Sequence, residues 1–132
     1  MKIPKGFFYS EDHIAVKKTK GERVRLYLTD YIFSISDEIE EIAFDVDQGS
    51  EVSAGDVLGL IKMPDYEFEI ISPVSGTVTK VNSELTESPD VLYGDGLYKD
   101  GWLIEIETSD NLESQLMTSE QYKEFLETLE EK

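Results

Sequence analysis

The chain has no cysteine. Disulfides, thiolate nucleophiles, zinc ribbons and iron–sulfur ligand sets are therefore excluded together. A single histidine, His13, rules out a multi-histidine metal site as well. Positive charge is scarce: 12 Lys and Arg against 29 Asp and Glu leave a formal net charge of −17. Nucleic acid and anionic membrane surfaces are bound by Lys and Arg that displace counterions, so neither is expected as a partner. No apolar stretch approaches the length of a membrane span. The opening Met1-Lys2-Ile3-Pro4-Lys5-Gly6 meets Pro and Gly before any run of signal-peptide length. A cytoplasmic protein is expected, and the lack of cysteine fits a reducing compartment.

What is present suffices for a core. In 132 residues, 39% are hydrophobic and 11% aromatic, which predicts one acidic globular domain over residues 1–132 rather than a disordered chain. Arg23 to Thr29 alternates polar and apolar residues partway, as a half-buried strand does, after a Lys20-Gly21 turn. Thr29-Asp30 is suited to cap a short helical stretch carrying Tyr31, Ile32 and Ile35. Ile39, Ile42, Phe44 and Val46 then return to strand-like spacing, and residues 47–56, punctuated by Gly49 and Gly55, read as a turn-rich connection.

The most informative segment lies in the middle. Val57 to Met63 and Glu67 to Ser72 form two strand-like arms around Met63-Pro64-Asp65-Tyr66. Pro64 pre-sets φ for the second position of a type I turn and Asp65 tolerates the third, so a β-hairpin is predicted with its tip at Pro64 and Asp65, give or take one residue. Pro73-Val74-Ser75-Gly76 is the next punctuation. Thr77 to Val81 and Gly101 to Glu107 each alternate as further strands.

The C-terminus changes period. Tyr122, Phe125, Leu126 and Leu129 fall on one face of a helix, and Thr118 with Gln121 supplies a capping box at its start. An Asp110-x-x-Glu113 box ahead of Leu112 and Leu116 predicts a short preceding helix. The helical region thus spans about 110–132 and is expected to pack on the β core.

The order of these marks resembles a known family. Gly49-x-x-Val52-x-x-Gly55-Asp56, a hairpin, Pro73-Val74-Ser75-Gly76 and Val81-Asn82 resemble the lipoyl/biotinyl carrier domain. Asn82-x-x-Leu85-x-x-x-Pro89-x-x-Leu92, Tyr98-x-x-Gly101-Trp102, Tyr9-x-x-x-His13 and Thr29-x-Tyr31 narrow the resemblance to the H protein of the glycine cleavage system, over nearly the whole chain. It implies a mainly β fold, a sandwich of small antiparallel sheets (a barrel-sandwich hybrid) with short C-terminal helices. It also implies a carrier, not an enzyme, whose hairpin lysine holds lipoic acid in amide linkage. The arm visits glycine decarboxylase, aminomethyltransferase and dihydrolipoyl dehydrogenase in glycine catabolism, and lipoate ligase installs it.

The sequence departs from the family at that lysine. The family's Glu-Ser-x-Lys stands so that its lysine precedes the proline of Pro-x-Ser-Gly by eight residues. Here that position is Asp65, in Lys62-Met63-Pro64-Asp65. A carboxylate cannot take lipoate as an amide, so no cofactor is expected. The resemblance then implies a non-lipoylated binding or regulatory homologue that docks on the same partners or competes with the genuine carrier. The alternative keeps the carrier class, with Lys62 bearing lipoate or biotin. Against it, a turn centred between Asp65 and Tyr66 places Lys62 opposite Glu69 in an ordinary cross-strand charge pair. His13 and Tyr9 match family positions but read as structural residues, and Trp102 beside Gly101 reads as a core anchor. Asp45-x-Asp47-x-Gly49-x-Glu51 lacks the spacing of a calcium loop. A small hydrolase built on paired carboxylates is a further alternative, although nothing singles out one pair.

Overall fold

The computed structural model describes residues 3–36 and 38–130. Its strands form two antiparallel sheets. In the larger, β1 (Phe8–Tyr9), β2 (Ile14–Lys18), β3 (Arg23–Leu28), β9 (Ile104–Glu107), β8 (Gly76–Val81) and β5 (Glu51–Val52) lie side by side in that order. In the smaller, β6 (Val57–Met63) lies between β4 (Glu41–Phe44) and β7 (Tyr66–Ile71). Short helices α1 (Ile32–Ile35), α2 (Glu84–Glu87) and α3 (Leu112–Gln115) join them, and α4 (Ser119–Glu130) closes the chain. Two 3-10 turns, Pro89–Leu92 and Gly94–Tyr98, lead from α2 towards β9.

The two sheets face one another across the main core. Val16, Leu26, Val78 and Ile106 from the larger sheet meet Ile42, Leu58, Ile61, Phe68 and Ile70 from the smaller. This is the expected sandwich of small antiparallel sheets. A second apolar cluster lies on the other side of the larger sheet, where Tyr122 and Leu126 of α4 cover Tyr9, Ala15 and Tyr27. That cover explains β2. Ile14, Ala15 and Val16 are all buried because both faces are covered, so the strand lacks the alternation that marks a half-exposed one. β9 also lacks alternation, for a different reason: Glu105, between buried Ile104 and Ile106, is covered by the side chains of Arg25 and Thr79.

Local expectations hold where local chemistry decides them. The predicted capping box of α4 is formed: Thr118 N donates to Gln121 Oε1 at 2.9 Å and Gln121 N to Thr118 Oγ1 at 3.2 Å. Two caps differ from expectation. The residue preceding α1 is Tyr31, with no side-chain cap, while the Thr29 hydroxyl is committed to Tyr122. Thr29 helps only through its carbonyl, which accepts from Ile32 N at 3.2 Å. At α3 the cap is Asn111, whose Oδ1 accepts from Ser114 N; Asp110 instead accepts from Ser75 N at 2.9 Å and ties the helix approach to the end of β8. The strand expected over 101–107 begins only at Ile104, because Gly101 N is bonded back to Gly96 O at 2.8 Å, within the preceding turn.

Candidate functional site: the hairpin tip

β6 and β7 form the predicted hairpin. Their register runs unbroken from Gly59↔Ile70 to Met63↔Tyr66, leaving Pro64 and Asp65 as a two-residue loop. Among the described residues only His13 has positive φ outside glycine, so the loop is not one of the left-handed turns common in two-residue hairpins. Proline at its first position sets that preference. Alternation along the arms follows from the sandwich: Ile61, Met63, Phe68 and Ile70 point into the core, while Lys62, Glu67 and Glu69 point out. Asp65 and Tyr66 are exposed at the end of the hairpin, Tyr66 to 51%.

Lys62 is not at the tip. It stands on the outward face of β6, where its Nζ lies 3.5 Å from Glu41 Oε2 on β4. The expectation that it opposes Glu69 is corrected: the turn centres between Pro64 and Asp65, one step earlier than assumed, so Glu67 is the residue across from Lys62, and Glu69 faces Leu60. Glu41, the residue Lys62 pairs with, carries no local signal in the sequence, since β4 reaches β6 only through sheet pairing. Both side chains are at least half exposed, so the pair is a weak tether. Glu40 N also donates to Lys62 O at 2.8 Å, fixing the backbone there to the neighbouring strand. The outer surface of the hairpin is thus acidic, with Asp65, Glu67 and Glu69 around one paired lysine.

Chemically, a loop residue at the end of a hairpin is the place from which an attached arm has the widest sweep. An amine there is a nucleophile for an activated acyl group; the carboxylate of Asp65 is not. Asp65 does not fit an amide-linked group, and Lys62, the nearest amine, sits three residues back on a paired strand.

The other positions that carry the resemblance lie elsewhere and are engaged in contacts within the fold. His13 adopts φ 67, stacks on Tyr31 with ring centroids 3.7 Å apart, and holds Tyr122 Oη at 2.8 Å through Nδ1. Burial lowers its pKa, with Asp12 opposing. Tyr9 stacks on Tyr122 at 4.7 Å and donates to Pro4 O; burial raises its hydroxyl far above the ordinary value. Trp102 is half-buried at the core's edge rather than within it, and the Arg25 guanidinium covers its ring at 4.4 Å. Among the described residues there is no cluster of metal-ligating side chains, and no helix is long and apolar enough to cross a membrane.

Comparison with known proteins agrees with this architecture. A family model described as Glycine cleavage H-protein matches residues 7–129. Glycine cleavage system H protein 1 of Caldanaerobacter subterraneus subsp. tengcongensis is 34% identical over 129 residues, covering 97% of this chain and 100% of that protein. The glycine cleavage system H protein of Bacillus subtilis (strain 168) is 35% identical over 128 residues, covering 95% and 97%. A crystal structure of a glycine cleavage system H protein from Mycobacterium marinum shares the fold with a TM-score of 0.79, covering 91% of this chain and 95% of that one at 23% identity. A nine-strand sandwich among the described residues, a hairpin with an exposed loop and a match along almost the whole sequence converge: the chain belongs to the glycine cleavage H-protein family, a family of carriers rather than catalysts.

Proposed function

We propose that this family member works without lipoate, as a binding or regulatory homologue of the aminomethyl carrier. The observation that carries the reading is Asp65 in the loop between β6 and β7, eight residues before Pro73, the position that the family resemblance assigns to a lipoyl lysine. The unbroken register from Gly59 to Ile70 leaves no insertion or bulge that brings Lys62 to the loop. The body of the domain keeps its sandwich and its exposed hairpin, and docking depends on that body while group transfer depends on the arm. Such a protein occupies carrier sites on glycine decarboxylase, aminomethyltransferase, dihydrolipoyl dehydrogenase or lipoate ligase without turning over.

Intact mass of the chain expressed with lipoate ligase and lipoate tests the first half. The expected mass is that of the bare polypeptide, and the Asp65→Lys variant is expected to gain a lipoyl group under the same conditions. A lipoyl or biotinyl increment on Lys62 of the unaltered chain would overturn the proposal in favour of a displaced carrier site. The second half is tested by adding the chain to a glycine cleavage assay with an authentic lipoylated H protein. Competitive slowing is expected, and an unchanged rate at large excess counts against docking.

A further inference from the structure

The end of β8 opens into a cavity of about 510 Å³ that shares no residue with the hairpin. Its size is that of a small-molecule site. Asn82, only 7% exposed, lines it. Both hydrogens of Asn82 Nδ2 are spent, on Asp100 O at 3.1 Å and Trp102 O at 2.8 Å, which pins the 100–102 segment against the strand. Its Oδ1 makes no hydrogen bond among the described residues. No buried side-chain polar atom there is left unpaired either, so this oxygen is not fully enclosed by protein. Asn82 is among the residues that line the cavity.

The charged residues of the lining are of one sign. Glu84 and Asp100 contribute exposed carboxylates, while Leu85, Val91 and Trp102 supply an apolar wall, and no Lys or Arg lines the cavity among the described residues. The wall is braced from outside the cavity's lining: Arg25 covers the Trp102 ring at 4.4 Å and is itself held by Glu105 at 3.2 Å. Little ordering of the indole is therefore left for a ligand to bring about.

We propose that this cavity binds a small organic cation, a primary ammonium on a short apolar stem. An ammonium has three donors and no acceptor, matching the three acceptors offered by Asn82 Oδ1, Glu84 and Asp100. The apolar wall takes the stem. Anions meet two carboxylates and no donor side chain of opposite charge, and an inorganic cation gains nothing from the wall. The net charge of −17 adds a general attraction for cations that concentrates such a ligand near the surface. This inference stands whether or not the hairpin ever carries lipoate.

Trp102 is the only tryptophan, so intrinsic fluorescence reads the cavity wall directly. The test titrates the full chain with butylammonium at constant ionic strength, with calorimetry alongside, using 1-butanol and butyrate as neutral and anionic counterparts. Saturable binding is expected with Kd of about 1 mM for so small a ligand. Glu84→Gln and Asp100→Asn are each expected to weaken it about tenfold, and both positions are exposed, so folding is preserved. Nα-acetyl-lysine methylamide, compared with putrescine, distinguishes a peptide lysine from a free amine as the source of the cation. Absence of both a fluorescence change and heat, equal binding of 1-butanol, or undiminished binding by the Glu84→Gln/Asp100→Asn double variant would each overturn the proposal.

Discussion

Glu105 sits on the outward face of β9 yet keeps only 5% of its side chain exposed, because Arg25 at 3.2 Å and Thr79 at 2.9 Å close over it, with Arg23 at 3.9 Å. Burial alone would push its carboxyl up; the Thr79 hydroxyl and the Arg25 guanidinium outweigh that and hold it below its ordinary value of 4.5. A depressed carboxyl stabilises the fold above that ordinary value, and the contribution is lost as pH falls through the folded-state value. Glu105→Gln is therefore expected to flatten the acid limb of stability against pH, read by urea unfolding. Arg25→Met leaves the buried carboxylate without its nearest cation and is expected to cost about 2 kcal/mol, less than the break of a fully buried pair because Arg25 itself is about a third exposed. Adding Glu105→Met is expected to restore most of the loss. His13 gives the opposite chemistry with the same direction. Its neutral ring is favoured by burial, so its contribution is full above about pH 6.5 and declines as pH falls through the lowered folded value. His13→Asn keeps a residue that tolerates φ 67 and should remove this slope between about pH 5 and 7.

At the scale of elements, α4 is held to the outside of the larger sheet by one small cluster and one polar junction. The Tyr122 hydroxyl meets His13 Nδ1 and Thr29 Oγ1, each at 2.8 Å, while its ring stacks on Tyr9. Tyr122→Phe leaves the buried Thr29 hydroxyl without that partner and is expected to cost about 1–3 kcal/mol. Amide exchange in 119–130 should accelerate while β6 and β7 keep their protection; equal acceleration of both would show that α4 is not a separately opening unit. Glycine illustrates how one residue type serves two ends. Gly49 and Gly55 supply left-handed φ in the connection around β5, as turn chemistry predicts. Gly76, read from sequence as turn punctuation, is needed for another reason: a Cβ there would collide with the Glu107 carbonyl and the Ile106 side chain on β9. Gly76→Ala is expected to cost about 2 kcal/mol by forcing β8 off its neighbour, read by thermal or urea unfolding.

For the whole molecule, charge is unevenly spread. Five of the 12 cationic residues, Lys17, Lys18, Lys20, Arg23 and Arg25, fall in β2, β3 and their turn, which leaves the rest of the surface more negative than the net −17 suggests. Screening such self-repulsion favours the compact state, so Tm is expected to rise between about 10 mM and 0.3 M NaCl, as the Debye length shrinks from about 30 Å to about 6 Å. A Tm that falls or stays level would show that the ion pairs around Glu105 outweigh the repulsion. The sequence by itself determined what depends on neighbours along the chain. The Pro64-Asp65 turn, the period of α4, the Thr118–Gln121 capping box and the presence of a carboxylate rather than an amine at position 65 are all set within a few residues. Tertiary structure alone decided what depends on a second surface. β2 lost the alternation of a half-exposed strand because α4 covers its other face, Lys62 found Glu41 because β4 pairs with β6, Glu105 was buried because β3 and β8 flank it, and the cavity beside Asn82 arose because the 100–102 segment folds back over the end of β8. Periodicity records one covered face at a time; pairing between distant strands leaves no spacing to read.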